Sequence, residues 1–276
     1  MTVSNKIQIV LGGTSGMGLA TAKALGKQGI VVIGGRNIGR LEKAVKELKE
    51  EGIEVYGKQC DVSDRKSLDE FVKYASGFGS ISNVVNAAAI DQGDPEMIWK
   101  INAIGTVNVV ETFLPIVDHS CIVLFTSITA YFYKASEEEM KIWENPNAED
   151  FFEKALQYSK TNEVDPRIKH LGSSFVTYMA SKCFVKYYTA ANTIRFGKKN
   201  SRIFSVSPGS FETPMLKEAS NGNMSRYATG TAFNRNGKPE EMADFISKLI
   251  SIEYLTGVDL ILDGGKTAIG SVKQFE

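Results

Sequence analysis

Apolar positions along this chain follow two rhythms that alternate from one end to the other. Short β-branched runs such as Ile7-Gln8-Ile9-Val10-Leu11 and Ile30-Val31-Val32-Ile33 have the length of buried strands. Between them the apolar residues return every three or four positions, as on one face of a helix. The pattern predicts strands near 7–11, 30–34, 53–59, 82–86, 120–126, 202–206 and 258–262, and helices near 17–28, 38–51, 64–76, 95–117, 174–197 and 239–252. Strands alternating with helices call for a doubly wound parallel sheet covered on both faces. No repeat or low-complexity linker interrupts the alternation, so residues 1–276 read as one α/β domain. Ligands of such sheets sit beyond the carboxyl ends of the strands, where Gly12, Asn86, Ser127 and Pro208 fall.

Composition narrows the function class. The 32 basic and 32 acidic residues cancel, so neither a nucleic acid nor an anionic membrane surface is expected as a partner. The apolar run Cys121-Ile122-Val123-Leu124-Phe125 is far too short to span a bilayer, and no signal-like segment precedes the first strand, so a cytoplasmic location is expected. Cys60, Cys121 and Cys183 are scattered, which fits reduced thiols. His119 and His170 have no ligand-spaced companion, and no metal is expected.

Three local patterns carry chemistry. The first strand runs into Gly12-Gly13-Thr14-Ser15-Gly16-Met17-Gly18 and then a helix, a Gly-x3-Gly-x-Gly variant of the dinucleotide fingerprint. Glycines allow close approach of a pyrophosphate, which the free amides of Thr14, Ser15, Gly16, Met17 and Gly18 at the helix start could hold; a glycine loop without ligand is the plainer alternative. After the second strand, Gly34-Gly35-Arg36-Asn37 places an arginine where an acid would select NAD, favouring the 2′-phosphate of NADP; Arg36 as a solvated helix-start residue is the alternative. Tyr178 and Lys182 lie four residues apart on a predicted helix, and a nearby ammonium would bring the phenol closer to exchanging its proton at working pH. The same spacing also occurs on solvated faces.

Together these patterns resemble the short-chain dehydrogenase/reductase family over nearly the whole chain. Gly12, Gly16 and Gly18 match its glycine turn, Cys60-Asp61-Val62 its adenine-side segment, and Asn86-Ala87-Ala88-Ala89 its segment after the fourth strand. Asn102, Ser127, Tyr178 and Lys182 match the catalytic tetrad; Pro208-Gly209, Phe211 and Thr213 match the nicotinamide-side loop, and Asp263-Gly264-Gly265 the C-terminal segment. Leu11 departs from the usual threonine, and Ala87 with Ala89 depart from the usual asparagine and glycine. The resemblance implies a Rossmann-type fold, NADP(H) as cofactor with NAD less favoured, and a homodimer or homotetramer. It implies that Ser127 and Tyr178 bind the substrate oxygen, that Lys182 holds the nicotinamide ribose and lowers the tyrosine pKa, and that Asn102 positions a water.

The stretch between Ser127 and Tyr178 is longer than that family's usual connection, which marks residues about 131–172 as an insertion. Within it, Ser136-Glu137-Glu138-Glu139 reads as a capping box opening a helix through Trp143. A second helix opens near Asn147, carries Phe151, Phe152, Ala155, Leu156 and Tyr158 on one stripe, and stops before Asp165-Pro166. The stripe reads equally as a wall for a large apolar substrate or as a dimerisation arm. A second candidate wall runs over about 213–236, through Met215, Leu216, Met224, Tyr227 and Phe233, with Gly222 and Gly230 as hinges. These segments resemble the bacterial 3α-hydroxysteroid dehydrogenase/carbonyl reductase branch, implying a hydroxysteroid or oxosteroid reacting at its 3-position, with bile acids included. A general carbonyl or aryl-alcohol reductase is the alternative.

Overall fold

The chain's β-branched runs all become neighbours in one sheet. A computed structural model describes residues 6–161 and 172–272. Among them, β1 (Lys6–Leu11), β2 (Ile30–Gly35), β3 (Val55–Gln59), β4 (Ser80–Asn86), β5 (Cys121–Phe125), β6 (Arg202–Pro208) and β7 (Asp259–Leu262) pair in parallel in the order β3-β2-β1-β4-β5-β6-β7. Strand residues point alternately to the two faces, so Ile9 and Leu11 of β1 join one core and Val10 the other. The first core is closed by α3 (Arg65–Ala75), α5 (Gly105–Phe113) and α8 (Gly172–Ala191), through Phe71, Phe113 and Phe184. The second is closed by α1 (Gly16–Gly26), α2 (Ile38–Glu50) and α10 (Pro239–Leu249), through Leu25, Leu48 and Ile246. The strand order reverses between β1 and β4, which opens a crevice at their carboxyl ends. The three thiols lie inside this frame, and burial pushes Cys60 and Cys121 up to about 12 and Cys183 up to about 11.

Two helices differ from the periodicity. The span expected near 95–117 divides into α4 (Pro95–Trp99), a wide π-type turn at Lys100–Ile104 and α5. The span expected near 174–197 breaks at Asn192, whose side chain donates to the Tyr188 carbonyl at 2.8 Å and so competes with the helix's own ladder. A short α9 (Thr193–Gly197) follows it. Periodicity registers neither break, because the apolar face continues across both.

The two helices expected between Ser127 and Tyr178 form, the second opening at Phe151 instead of near Asn147, but the aromatic stripe has a different use. Ser136 caps α6 (Glu137–Trp143), its hydroxyl accepting from the Glu139 amide at 3.1 Å. The Glu139 carboxylate is buried and accepts from the Tyr133 hydroxyl at 2.8 Å. α7 (Phe151–Thr161) follows, while the expected stop at Asp165-Pro166 lies outside the described residues. Trp143 and Phe151 are buried in the chain's own core, with ring centroids 5.6 and 5.4 Å from that of Phe184 on α8. Burying each such ring contributes about 1.5–3 kcal/mol. The core ends of the stripe are therefore spent on α8, neither facing a substrate nor open to a second subunit. Phe152 lies at the edge, under the Lys100 ammonium, which is 5.1 Å from its ring centroid.

Candidate active site

The glycine turn stands at the crevice. Gly12 holds φ +75° and Gly16 φ +53°, and a Cβ on Gly12 would lie 2.6 Å from the Ala88 nitrogen, so glycine is required there. Ser15 takes the N-cap position of α1 but makes no side-chain capping bond, which leaves the first-turn amides for an anion. A cavity of about 670 Å³ begins here. Of the expected cofactor residues, Gly12, Thr14 through Gly18, Arg36, Asn37, Val62, Ala87, Ala88 and Thr213 line it. This cradle fits a dinucleotide: an amide-rich helix start, a backbone approach open only to glycine, and cations on the β2 side.

The other expected residues stand beside or behind the cavity wall. The Asp61 carboxylate accepts from the Ser63 amide at 2.9 Å and its hydroxyl at 2.7 Å, fixing the turn between Cys60 and Val62, which both line the cavity. Asn86 is buried at the end of β4 and accepts from the Ala88 amide at 3.3 Å. Pro208 ends β6, Gly209 packs so closely on Asp263 that a Cβ would lie 2.7 Å from it, and the Phe211 ring is buried against Gly237. Asn37 caps α2 by accepting from the Arg40 amide at 2.9 Å, so its side chain is committed to the helix.

Ser127, Tyr178 and Lys182 come together from separate elements. Ser127 follows β5 and caps a 3-10 turn, Ile128–Tyr131, its Oγ accepting from the Thr129 amide at 3.2 Å. Its hydroxyl faces the Tyr178 phenol closely enough to oppose the rise in that group's pKa. Lys182 is buried on α8 and donates to the Phe125 carbonyl at 2.9 Å. Asn102 lies in the wide turn, and its amide hydrogens go to the Ile90 carbonyl at 2.9 Å and Ser181 Oγ at 3.1 Å, while its oxygen accepts from the Ile90 amide at 2.9 Å. Instead of offering an amide hydrogen to water, the side chain braces the loop after β4 against the residue preceding Lys182.

The titration of the pair differs from the sequence expectation. Burial pushes Tyr178 up to about 12, with the Ser127 hydroxyl opposing and the Asp91 carboxylate adding to the rise. Burial pulls Lys182 down to about 8, against the attraction of Asp91. The ammonium is 5.8 Å from the Tyr178 ring centroid and spends a hydrogen on Phe125, so loss of water outweighs any help it gives the phenolate.

Three charged residues escape the sequence reading. Arg40 lines the cavity with Arg36, one turn along α2, a signal visible only as i, i+4 spacing. Asp91 and Glu218 also line it, and burial, reinforced by Glu218, holds Asp91 above the ordinary carboxylate range while Lys182 pulls it back. No motif marks either carboxylate. Among the described residues no group of side chains could hold a metal ion, and no helix is long and apolar enough to cross a membrane.

Known proteins share this fold. Residues 6–137 match the short chain dehydrogenase family, and residues 169–267 match the enoyl-(acyl carrier protein) reductase form of it. A cyclohexanol dehydrogenase of Acinetobacter sp. (strain SE19) is 25% identical over 269 residues, covering 96% of each chain. A 3-oxoacyl-(acyl-carrier-protein) reductase of Thermotoga maritima is 27% identical over 282 residues, covering 96% of this chain and 99% of its own. The structure of an actinorhodin polyketide ketoreductase with NADPH shares the fold, with a TM-score of 0.73 at 22% identity, covering 95% of this chain and 97% of that one. With both halves of the chain matched, the glycine turn at the crevice and Ser127, Tyr178 and Lys182 grouped beside it, the protein belongs to the short-chain dehydrogenase/reductase family of oxidoreductases.

Proposed function

We propose that this protein interconverts a cyclic secondary alcohol and its ketone with NADP(H) as hydride carrier. The observation that carries the reading is the Ser127 hydroxyl facing the Tyr178 phenol, with Lys182 beneath the ring, beside a cavity whose β2 side bears Arg36 and Arg40. NADPH, when bound, supplies the hydride. Ser127 and Tyr178 would donate to the substrate oxygen, so the charge growing there during reduction meets hydroxyls already in place. Tyr178 would then hand over its proton, and Lys182 would keep a positive charge near the resulting phenolate. Arg36 and Arg40 would grip the 2′-phosphate, since a guanidinium presents a fork of donors to it.

Two sizes of cyclic substrate have support. A hydroxysteroid or oxosteroid reacting at its 3-position is supported by the apolar side of the cleft, where Ile90, Ile101 and Met215 line the cavity. A smaller ring or aryl carbonyl is favoured by the burial of Trp143 and Phe151, which removes them from any substrate wall, and by the resemblance to a cyclohexanol dehydrogenase. Asp91 and Glu218 would repel a carboxylate, so a neutral ring fits the cleft better than a bile-acid anion. The test is NADPH consumption with a 3-oxosteroid and with cyclohexanone in parent and Tyr178→Phe. The expected outcome is turnover of at least one ring ketone, lowered by about 10² to 10⁴-fold in the variant; activity close to the parent's would refute the role given to Tyr178.

A further inference from the structure

We propose that Asp259 is a positioning residue for Ser127, holding both ends of the turn that carries the serine through a set of hydroxyl contacts. The inference rests on the reading of Ser127 as a donor to the substrate oxygen. Asp259 is the first residue of β7, followed by Leu260, Ile261 and Leu262. Its Oδ1 accepts from Thr126 Oγ1 at 2.8 Å and Ser205 Oγ at 2.6 Å, and its Oδ2 from Ser207 Oγ at 2.6 Å and the Tyr131 hydroxyl at 2.7 Å. Thr126 immediately precedes Ser127, and Tyr131 ends the 3-10 turn that Ser127 caps. One carboxylate thus fastens the entry and the exit of the serine's turn to β6 and β7.

The bookkeeping of protons supports a fixed arrangement. Thr126 Oγ1 also lies 2.8 Å from the Val206 carbonyl and 2.6 Å from Ser207 Oγ. Its one hydrogen has three acceptors within reach, Asp259 Oδ1, the Val206 carbonyl and Ser207 Oγ, of which the carboxylate alone carries a charge, while the Ser207 hydrogen goes to Oδ2. Thr126, Ser205 and Ser207 are buried, so without the carboxylate their hydroxyls would lose their strongest acceptor in a place water does not reach. Two further anchors complete the hold: the Thr126 amide donates to the Val206 carbonyl at 2.8 Å, and Lys182 grips the Phe125 carbonyl at 2.9 Å. Between these points Ser127 keeps an extended backbone, with φ −165° and ψ 152°, and its hydroxyl faces the Tyr178 phenol. Donor placement of this kind governs rate steeply, since a displacement of about 1 Å can cost about a hundredfold.

The test is a set of steady-state measurements on Tyr131→Phe, Asp259→Ala and Ser127→Ala, singly and combined, with NADPH binding followed by fluorescence. Tyr131→Phe and Asp259→Ala should each lower kcat by about ten- to a hundredfold while the NADPH dissociation constant stays within about twofold. In the Ser127→Ala background Tyr131→Phe should bring no further loss, because a clamp that acts through the serine has nothing left to aim. Tyr131 is at the surface edge of the network, so its variant keeps the test open even where Asp259→Ala folds poorly. Variants that melt earlier but keep the parent kcat, or that slow the Ser127→Ala enzyme by the same factor as the parent, would overturn the proposal. Full activity in Ser127→Ala would instead overturn the reading of the serine, and the positioning role with it.

Discussion

Lys182 and Arg36 show how differently two cations on one site bear on stability. Lys182 is buried, and its affinity for a proton falls from the ordinary 10.5 to about 8. Between those values the unfolded chain binds a proton that the folded chain holds only in part, so this residue makes stability rise with pH across that window. Tyr178 acts in the opposite sense: from about 10 to about 12 the unfolded phenol ionises first and stability falls. Lys182→Met should therefore abolish turnover yet stabilise the fold at pH 7, by about 0.5–2 kcal/mol in urea titrations, with the advantage shrinking by pH 10. A variant less stable than the parent at pH 7 would contradict this. Arg36 is exposed, and its removal costs no packing. Arg36→Ala should raise the KM for NADPH about ten- to a hundredfold and leave that for NADH nearly unchanged, as expected for losing a charge-assisted contact of about 1.5–3 kcal/mol. At this scale the sequence exposes residues whose signal is local: the glycine turn, the Tyr178–Lys182 spacing and Arg36 after β2. It hides Asp91 and Asp259, whose partners are distant; the Thr126–Asp259 contact joins positions 133 apart.

Periodicity identifies elements well where one face is apolar throughout and poorly where a side chain interrupts the backbone ladder. All seven strands fall within two residues of expectation because their apolar runs are bounded by glycine and polar turns. The wide turn at Lys100–Ile104 leaves no such trace, since Trp99, Ile101, Ala103 and Val107 stay buried across it while the added room in the backbone points Asn102 at Ile90. The segment between Ser127 and Tyr178 is the reverse case. Its helices are legible and its purpose is not, because an apolar stripe announces burial without naming the partner. With Phe151 locked against Phe184, Phe151→Ala should cost about 3–5 kcal/mol of unfolding free energy and leave substrate KM little altered in whatever fraction remains folded. A change confined to substrate KM, with the melting temperature unmoved, would return the stripe to the cleft.

Across the whole molecule the strand order brings the chemistry together: reversal between β1 and β4 lets the glycine turn and the Asn86 loop face one crevice, with Ser127 beside it, from positions far apart in sequence. The doubly wound class follows from alternation alone, whereas the contents of the crevice's charged lining depend on which loops meet there. The same frame conceals Cys60 near the end of β3, Cys121 at the start of β5 and Cys183 on α8. Only a thiolate is alkylated readily, and burial keeps all three protonated near neutral pH. Iodoacetamide thus reads out opening of the protein as a clock would, with no introduced probe. If the sheet and its two cores open as a unit, mass spectra taken during slow labelling at pH 8 should contain chains with no adduct and chains with three, and few between. Cys60 borders the cavity, so a population carrying one adduct there, suppressed by NADPH, would reveal that the crevice breathes on its own and that the cofactor closes it.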